Sequence, residues 1–312
     1  MSASSDLPSW ASDPAVLRGF TAGTVFSLPQ ARAMLCLAQV AYAPPRGETV
    51  PQVLASWEME RPENTLINSR IAPDNGLGEV FAFAAVRSSV GFVALRGSDP
   101  PQVPRWLREY TTDTAPSGLH IGFEEAAHAV WEKLNTGIAN SPVAADKPLF
   151  FTGHGIGGAM AVIVAFFAAK KGITVEAVYT FGMPRVGTMR FAEEYNAWLG
   201  DRTFRLVYGR DVVPTVPRAD QEFQHVGRFF ASNPDGRFVS GMLSGNPQSL
   251  PKDQWNNEPL RNPDLSNLGL GQQTLGLGQR VRVVVGLADN LIEPPAPLRD
   301  HFPDRYWEAL RG

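Results

Sequence analysis

Cysteine is almost absent from the chain. Cys36 alone among 312 residues excludes an intramolecular disulfide framework and any cysteine-based metal cluster. It falls in an apolar helical pattern and reads as a small buried hydrophobe. Blocks of like charge are missing too. Lys+Arg 28 against Asp+Glu 31 gives a net charge of −3, so a nucleic-acid partner has no basic footprint to bind. Long apolar runs are equally scarce. The longest, AMAVIVAFFAA at 159–169, is well short of the ~18 residues of a transmembrane helix and reads as a helix buried in protein. The stretch MSASSDLPSWASDP has neither the basic n-region nor the apolar h-region of a secretory signal. Cytoplasmic residence is the default expectation, with export that needs no such signal left open. No His/Asp/Glu grouping has zinc-ligand spacing, so no metal is expected.

What remains is apolar enough for a large core. Hydrophobic residues make up 44% and charged residues 19%, the latter below the ~25% of an average globular protein. Residues 1–26 are rich in Ser, Asp and Pro without a sustained period and read as an N-terminal arm on the surface. A helix is expected from Ser27, where Ser27 and Gln30 have capping-box spacing. Val80–Val86 and Gly91–Leu95 read as an antiparallel hairpin. Ile121–Leu134 carries Phe123, Ala126, Ala127, Val130, Trp131 and Leu134 on one helical face. Then come a strand at Leu149–Thr152, the buried helix, a strand at Thr174–Phe181, a helix near Met189–Leu199 and a strand at Thr203–Val207. Such alternation implies a mostly parallel sheet with helices on both faces, an α/β fold. The stretch 232–279 holds 7 Gly and 5 Pro, with LGLGQ at Leu268 and again at Leu275, and reads as an irregular insertion. Arg280–Val285 is expected to restore a strand and Asp304–Leu310 to close the chain as a helix. One domain over 27–312 fits this order better than two.

The chemistry concentrates in GHGIGG at 153–158, between a strand and a helix, where free backbone N–H groups favour an anion. Gly153, Gly155 and Gly158 fit the dinucleotide fingerprint G-x-G-x-x-G. That motif also asks for an acid at the carboxyl end of the next strand. Tyr179-Thr180-Phe181-Gly182 supplies none, and Glu176 lies near that strand's start. The other reading is a nucleophile elbow, G-x-S-x-G, with Gly155 in the serine's place.

Further segments stand in a fixed order: FVALRGS at 92–98, HIGFEEA at 120–126, FTGHGIGGA at 151–159, TFGMPRVG at 180–187, RDVVPTVP at 210–217, QHVG at 224–227 and DHFPDRY at 300–306. With these the sequence resembles the class 3, or fungal-type, lipase family of α/β-hydrolases, over about 34–310. The resemblance implies cleavage of carboxylic esters, often acylglycerols, through a Ser–His–Asp triad without a cofactor. By position, Asp211 would be the acid and His301 the base, with Ser98 and Ile156 as oxyanion-hole donors. His225 competes for the base role, while His154 is expected to pack beneath the elbow. His120 is expected to hydrogen-bond locally and His128 to lie on a helix flank. Val103, Trp106, Leu107 and Tyr110 would face the site as a lid or pack as ordinary core. The implied partner is an acyl ester or lipid, with contact at a lipid–water interface.

Gly155 departs from that pattern, since it has no hydroxyl. No other G-x-S-x-G occurs; Ser244 in GMLSG is out of register. Loss of the nucleophile removes about 10⁶ from turnover and leaves roughly 10³–10⁴ over water. The chain therefore reads as an inactive or substrate-trapping lipase-type hydrolase. The alternatives are a non-catalytic lipid-binding protein and, through the glycine fingerprint, a dinucleotide-binding protein.

Overall fold

The computed structural model describes residues 7–44, 47–70, 79–98, 103, 107, 112–141, 144, 146–217, 221–239, 270–273, 282–285 and 296–311. Its centre is a seven-stranded sheet. The strands are β1 Leu66–Arg70, β2 Glu79–Arg87, β3 Val90–Leu95, β4 Leu149–His154, β5 Val175–Phe181, β7 Thr203–Val207 and β9 Arg228–Ala231, in that spatial order. β1–β2 and β2–β3 pair antiparallel, and every later pair is parallel. β2 and β3 form the expected hairpin, with Arg87 opposite Val90.

Strand alternation sorts the apolar residues onto two faces. Val93, Leu95 and Phe151 lie on one face, with the helices α4 Ile121–Ala139, α5 Ile156–Lys170 and α6 Met189–Leu199. Phe92, Ala94, Phe150 and Tyr179 lie on the other, against α2 Leu28–Val40 and the C-terminal helix α8 Pro303–Arg311. α5 contains the longest apolar run and is buried almost throughout, so it sits inside protein. Among the described residues no helix is long and apolar enough to cross a membrane.

Some of the order was not anticipated. β1 carries no clear apolar period, and the short helix α3 Thr49–Ser56 went unread although Val50, Val53 and Leu54 stand at helical spacing. Phe223–Phe230 splits into β8 Phe223–Gln224, which pairs with β6 Gly187–Thr188, and β9. Within the supposedly irregular 232–279, Leu270–Gln273 (β10) is a strand, paired antiparallel with β11 Arg282–Val285 away from the main sheet. Residues 240–269 and 274–279 lie outside the described residues. Residues 7–26 include the short helix α1 Ser9–Ser12 and the 3-10 turn Pro14–Leu17. Trp10 stacks on Trp307 at 4.9 Å, and Phe26 stacks on Phe230 at 4.2 Å. Ala11, Val16 and Leu17 are buried, and this side also covers Cys36, whose thiol burial pushes above its ordinary range.

Candidate active site

The site lies at the carboxyl ends of the parallel strands. β4 ends at His154, and α5 starts at Ile156. The chain reverses at Gly155, with φ 56° and ψ −126°, a region that L side chains enter only under strain. Glycine adopts it freely. The Gly155 N–H donates to the Phe181 carbonyl at 2.8 Å, and its own carbonyl accepts from Gly158 N–H at 2.9 Å. The elbow is thus fixed by the β4–β5 junction and the first turn of α5.

A side chain at Gly155 would face His301. An ideal Cβ there falls 3.0 Å from His301 Nε2 and 3.2 Å from Cε1. His301, 2% exposed, sits in the turn between α7 Ala296–Arg299 and α8. Its Nδ1 lies 3.0 Å and 2.9 Å from the two carboxylate oxygens of Asp211. A carboxylate only accepts, so Nδ1 carries the proton and Nε2 presents its lone pair to the elbow.

Asp211 is fully buried, four residues past the end of β7. Its Oδ1 accepts from Val213 N–H at 2.9 Å, and its Oδ2 accepts from the Tyr306 hydroxyl at 2.6 Å. Burial, then the adjacent Asp211, push the Tyr306 phenol well above its ordinary range, so it stays a donor. The turns that carry Asp211 and His301 are also tied directly. Asp300 Oδ2 accepts from Arg210 N–H at 2.9 Å, and the Pro297 carbonyl accepts from Val212 N–H at 3.2 Å.

His154 packs beneath the elbow and anchors His301. Its Nε2–H donates to the His301 carbonyl at 2.6 Å, which leaves Nδ1 to accept from the Tyr42 hydroxyl at 3.0 Å. Burial first, then His301, push this imidazole well below the usual histidine range, so it is neutral. Tyr42, Asp300 and Tyr306 are partners to which sequence reasoning gave no role. The only hint of Tyr306 was its place in DHFPDRY.

The other histidines stand apart. His225 Nε2–H donates to the Pro214 carbonyl at 2.8 Å, so it is not the imidazole beside Asp211. Burial, then Arg205 and Arg185, hold it well below the usual range. His120 stacks on Phe123 and His128 on Phe167.

Ile156 is the first residue of α5 and is buried, and such a residue has an N–H without an intrahelical acceptor. Ser98 is half-buried just beyond β3. Its neighbour Gly97 runs so close to the elbow that a Cβ there would fall 2.3 Å from the His154 carbonyl and 3.2 Å from Gly157 N. Val103 and Leu107 are 4% and 3% exposed, in the cluster on the α4–α5 face; Trp106 and Tyr110 lie outside the described residues. Where a dinucleotide would need its acid, at the carboxyl end of β5, the space belongs to the histidine–aspartate pair. A Cβ on Gly182 would lie 2.5 Å from Asp211 Oδ2 and 2.8 Å from His301 Nδ1. A groove of about 760 Å³, lined by Glu60, Lys133, Thr136 and Asn140 among others, holds none of these residues.

Residues 92–221 match the Lipase (class 3) family. Secreted mono- and diacylglycerol lipase 1 of Fusarium solani is 31% identical over 54% of this chain and 51% of that protein. The secreted mono- and diacylglycerol lipase LIP4 of Malassezia restricta is 41% identical over 26% of this chain and 27% of its own length. The chain thus spans about half, or less, of the curated relatives it matches. Those relatives correct one expectation: they are secreted proteins, which points away from the cytoplasm. A buried lone cysteine is as compatible with an extracellular setting. Among solved structures, Rhizomucor miehei triacylglyceride lipase superposes with a TM-score of 0.53 at 19% identity, over 70% of this chain and 89% of that one. A triacylglycerol lipase with a serine-protease-type triad gives 0.52 at 22% identity, over 68% and 83%. The chain has the α/β-hydrolase fold, and its segment 92–221, from β3 through the elbow to the turn beyond Asp211, is similar to the class 3 lipase family.

Proposed function

We propose that the chain carries a lipase-type acyl-ester site whose covalent nucleophile is missing. Asp211 orients His301, Ser98 and Ile156 donate to the developing oxyanion, and Gly155 occupies the nucleophile position. The ligand is a lipid ester bound at a lipid–water interface, with mono- and diacylglycerols the first candidates because the relatives are named for them. The carrying observation is the His301 Nε2, 3.0 Å from the Cβ point of an elbow residue at φ 56°. Without a hydroxyl the acyl-enzyme route is closed, so the chain binds its ester and turns it over poorly. Two oxyanion donors at about 3–4 kcal/mol each still favour the polarised carbonyl. The test is covalent. Gly155→Ser should react with a fluorophosphonate probe and lose that labelling when His301→Ala or Asp211→Asn is added. A folded serine variant that the probe never labels would sink the reading.

A further inference from the structure

We propose that the Gly155 chain is itself an acyl-transfer catalyst that takes its nucleophile from solution, a water or a short primary alcohol activated by His301. The inference rests on the lipase-type reading above and deepens it. A general base must accept its proton across about 2.6–3.2 Å. The Cβ point of Gly155 lies 3.0 Å from Nε2, so Nε2 faces the elbow directly, and an external hydroxyl would stand farther out from Cα within reach of that nitrogen. Nε2 is the free acceptor because Nδ1–H is committed to Asp211. The ring's backbone is held in turn by His154. The proton acceptor is therefore assembled without a serine. Methanol supplies from solution the hydroxyl that a serine would carry, without the bond to Cα.

In the reaction the alcohol oxygen forms a bond to the acyl carbon as Nε2 takes the hydroxyl proton. Collapse of the tetrahedral adduct breaks the bond to the leaving oxygen, which receives that proton from Nε2. An ester and an alcohol give a new ester and a new alcohol; with water the products are the acid and the alcohol. No acyl-enzyme forms. A tethered nucleophile is worth an effective molarity of about 10⁵–10⁸ M, so this route is slow and scales with the external nucleophile.

The experiment follows p-nitrophenol release from a short-chain nitrophenyl ester across a methanol series, with the methyl ester quantified. For the Gly155 chain, release should rise linearly with methanol, without a burst, and the increase should equal the methyl ester formed. His301→Ala should lower that slope about 100-fold, as loss of a general base does. His301→Gln, which better keeps the side-chain volume, should do the same. Release independent of methanol, or a slope unchanged in both histidine variants, overturns the proposal. Gly155→Ser in parallel separates the two readings. If it shows a burst and fluorophosphonate labelling while the Gly155 chain shows no His301-dependent slope, external nucleophile use fails and the lipase-type site stands. If both chains are folded and neither turns over, the lipase-type reading fails with it.

Discussion

Replacing Gly155 by serine should change stability and chemistry in opposite directions, for one structural reason. A non-glycine residue held at φ 56°, ψ −126° costs about 1–3 kcal/mol. The new Cβ also meets His301 Nε2 and Cε1 at 3.0 and 3.2 Å, inside ordinary van der Waals contact. The ring must retreat by a few tenths of an ångström, yet Asp211 grips Nδ1 and His154 grips the carbonyl. These restraints push the loss toward the upper part of that range. A bond from the serine hydroxyl to Nε2 returns about 1 kcal/mol. The net loss should be about 1–2 kcal/mol, read as a drop of roughly 0.3–0.7 M in the urea midpoint if m is about 3 kcal/mol/M. Nitrophenyl-ester hydrolysis should rise by several orders of magnitude, toward the about 10⁶ that a serine nucleophile contributes elsewhere. Gly155→Ala is the control: it carries the strain without the hydroxyl and should lose stability while gaining nothing. A serine form as stable as the glycine form, or an alanine form unchanged in midpoint, would show that the elbow is not strained as argued. A folded serine form without added hydrolysis would show that the surrounding groups do not activate a hydroxyl.

Other outcomes follow from the same contacts. Tyr306→Phe keeps the buried ring but removes the 2.6 Å donor to Asp211; it should cost about 1.5–3 kcal/mol, the worth of a hydrogen bond to a charged group. In the Gly155→Ser background it should also lower turnover about tenfold, or 1.4 kcal/mol of barrier, and unchanged turnover would remove Tyr306 from the site. His225→Gln should leave turnover in that background intact, because His225 bonds Pro214 and not Asp211; a collapse of activity in a folded variant would revive it as the base. Both His154 and His225 are held below the ordinary value of 6.5, chiefly by burial. The unfolded chain therefore binds protons that the native chain refuses. Stability should be full above pH ~6.5 and decline below it, by up to about 1.4 kcal/mol per pH unit for each site. Urea midpoints on either side of that pH check the sign, and His225→Gln should flatten the slope.

The fold was legible where apolar period and turn chemistry agree. Phe81, Phe83 and Ala85 alternate with Val80, Ala82 and Ala84 across β2, so strand and faces both follow from the letters. β1 was not legible: in Leu66–Arg70 only Ile67 is an apolar residue of the buried core, and pairing with β2 defines the strand. The elbow could be read locally, since four glycines, Gly153, Gly155, Gly157 and Gly158, cluster where a strand gives way to a helix. Asp211 and His301 are 90 positions apart, and family resemblance alone suggested that they meet. Tyr306 and Tyr42 escaped notice because a buried tyrosine looks like any core aromatic until its hydroxyl finds a partner. The strand at Leu270–Gln273 escaped because glycine content masked it.

The buried charge at Asp211 weighs on the choice between a catalyst and a passive lipid binder. Taking a carboxylate out of water costs several kcal/mol even after relaxation, and well-packed apolar residues often do as well or better for stability. Here three donors converge on one side chain: Val213 N–H, Tyr306 O–H and His301 Nδ1–H. Their shared effect is to fix one tautomer and one orientation of a single imidazole. A cavity that only held an acyl chain has no use for that, because apolar walls and a few donors to the ester suffice. A proton acceptor aimed at the elbow residue has every use for it. The second histidine reinforces the point, since neutral His154 is spent on the backbone of His301 and the Tyr42 hydroxyl. The arrangement suits proton transfer beside Gly155, so under the proposed function ester turnover should follow His301 whether the attacking hydroxyl comes from the chain or from solution.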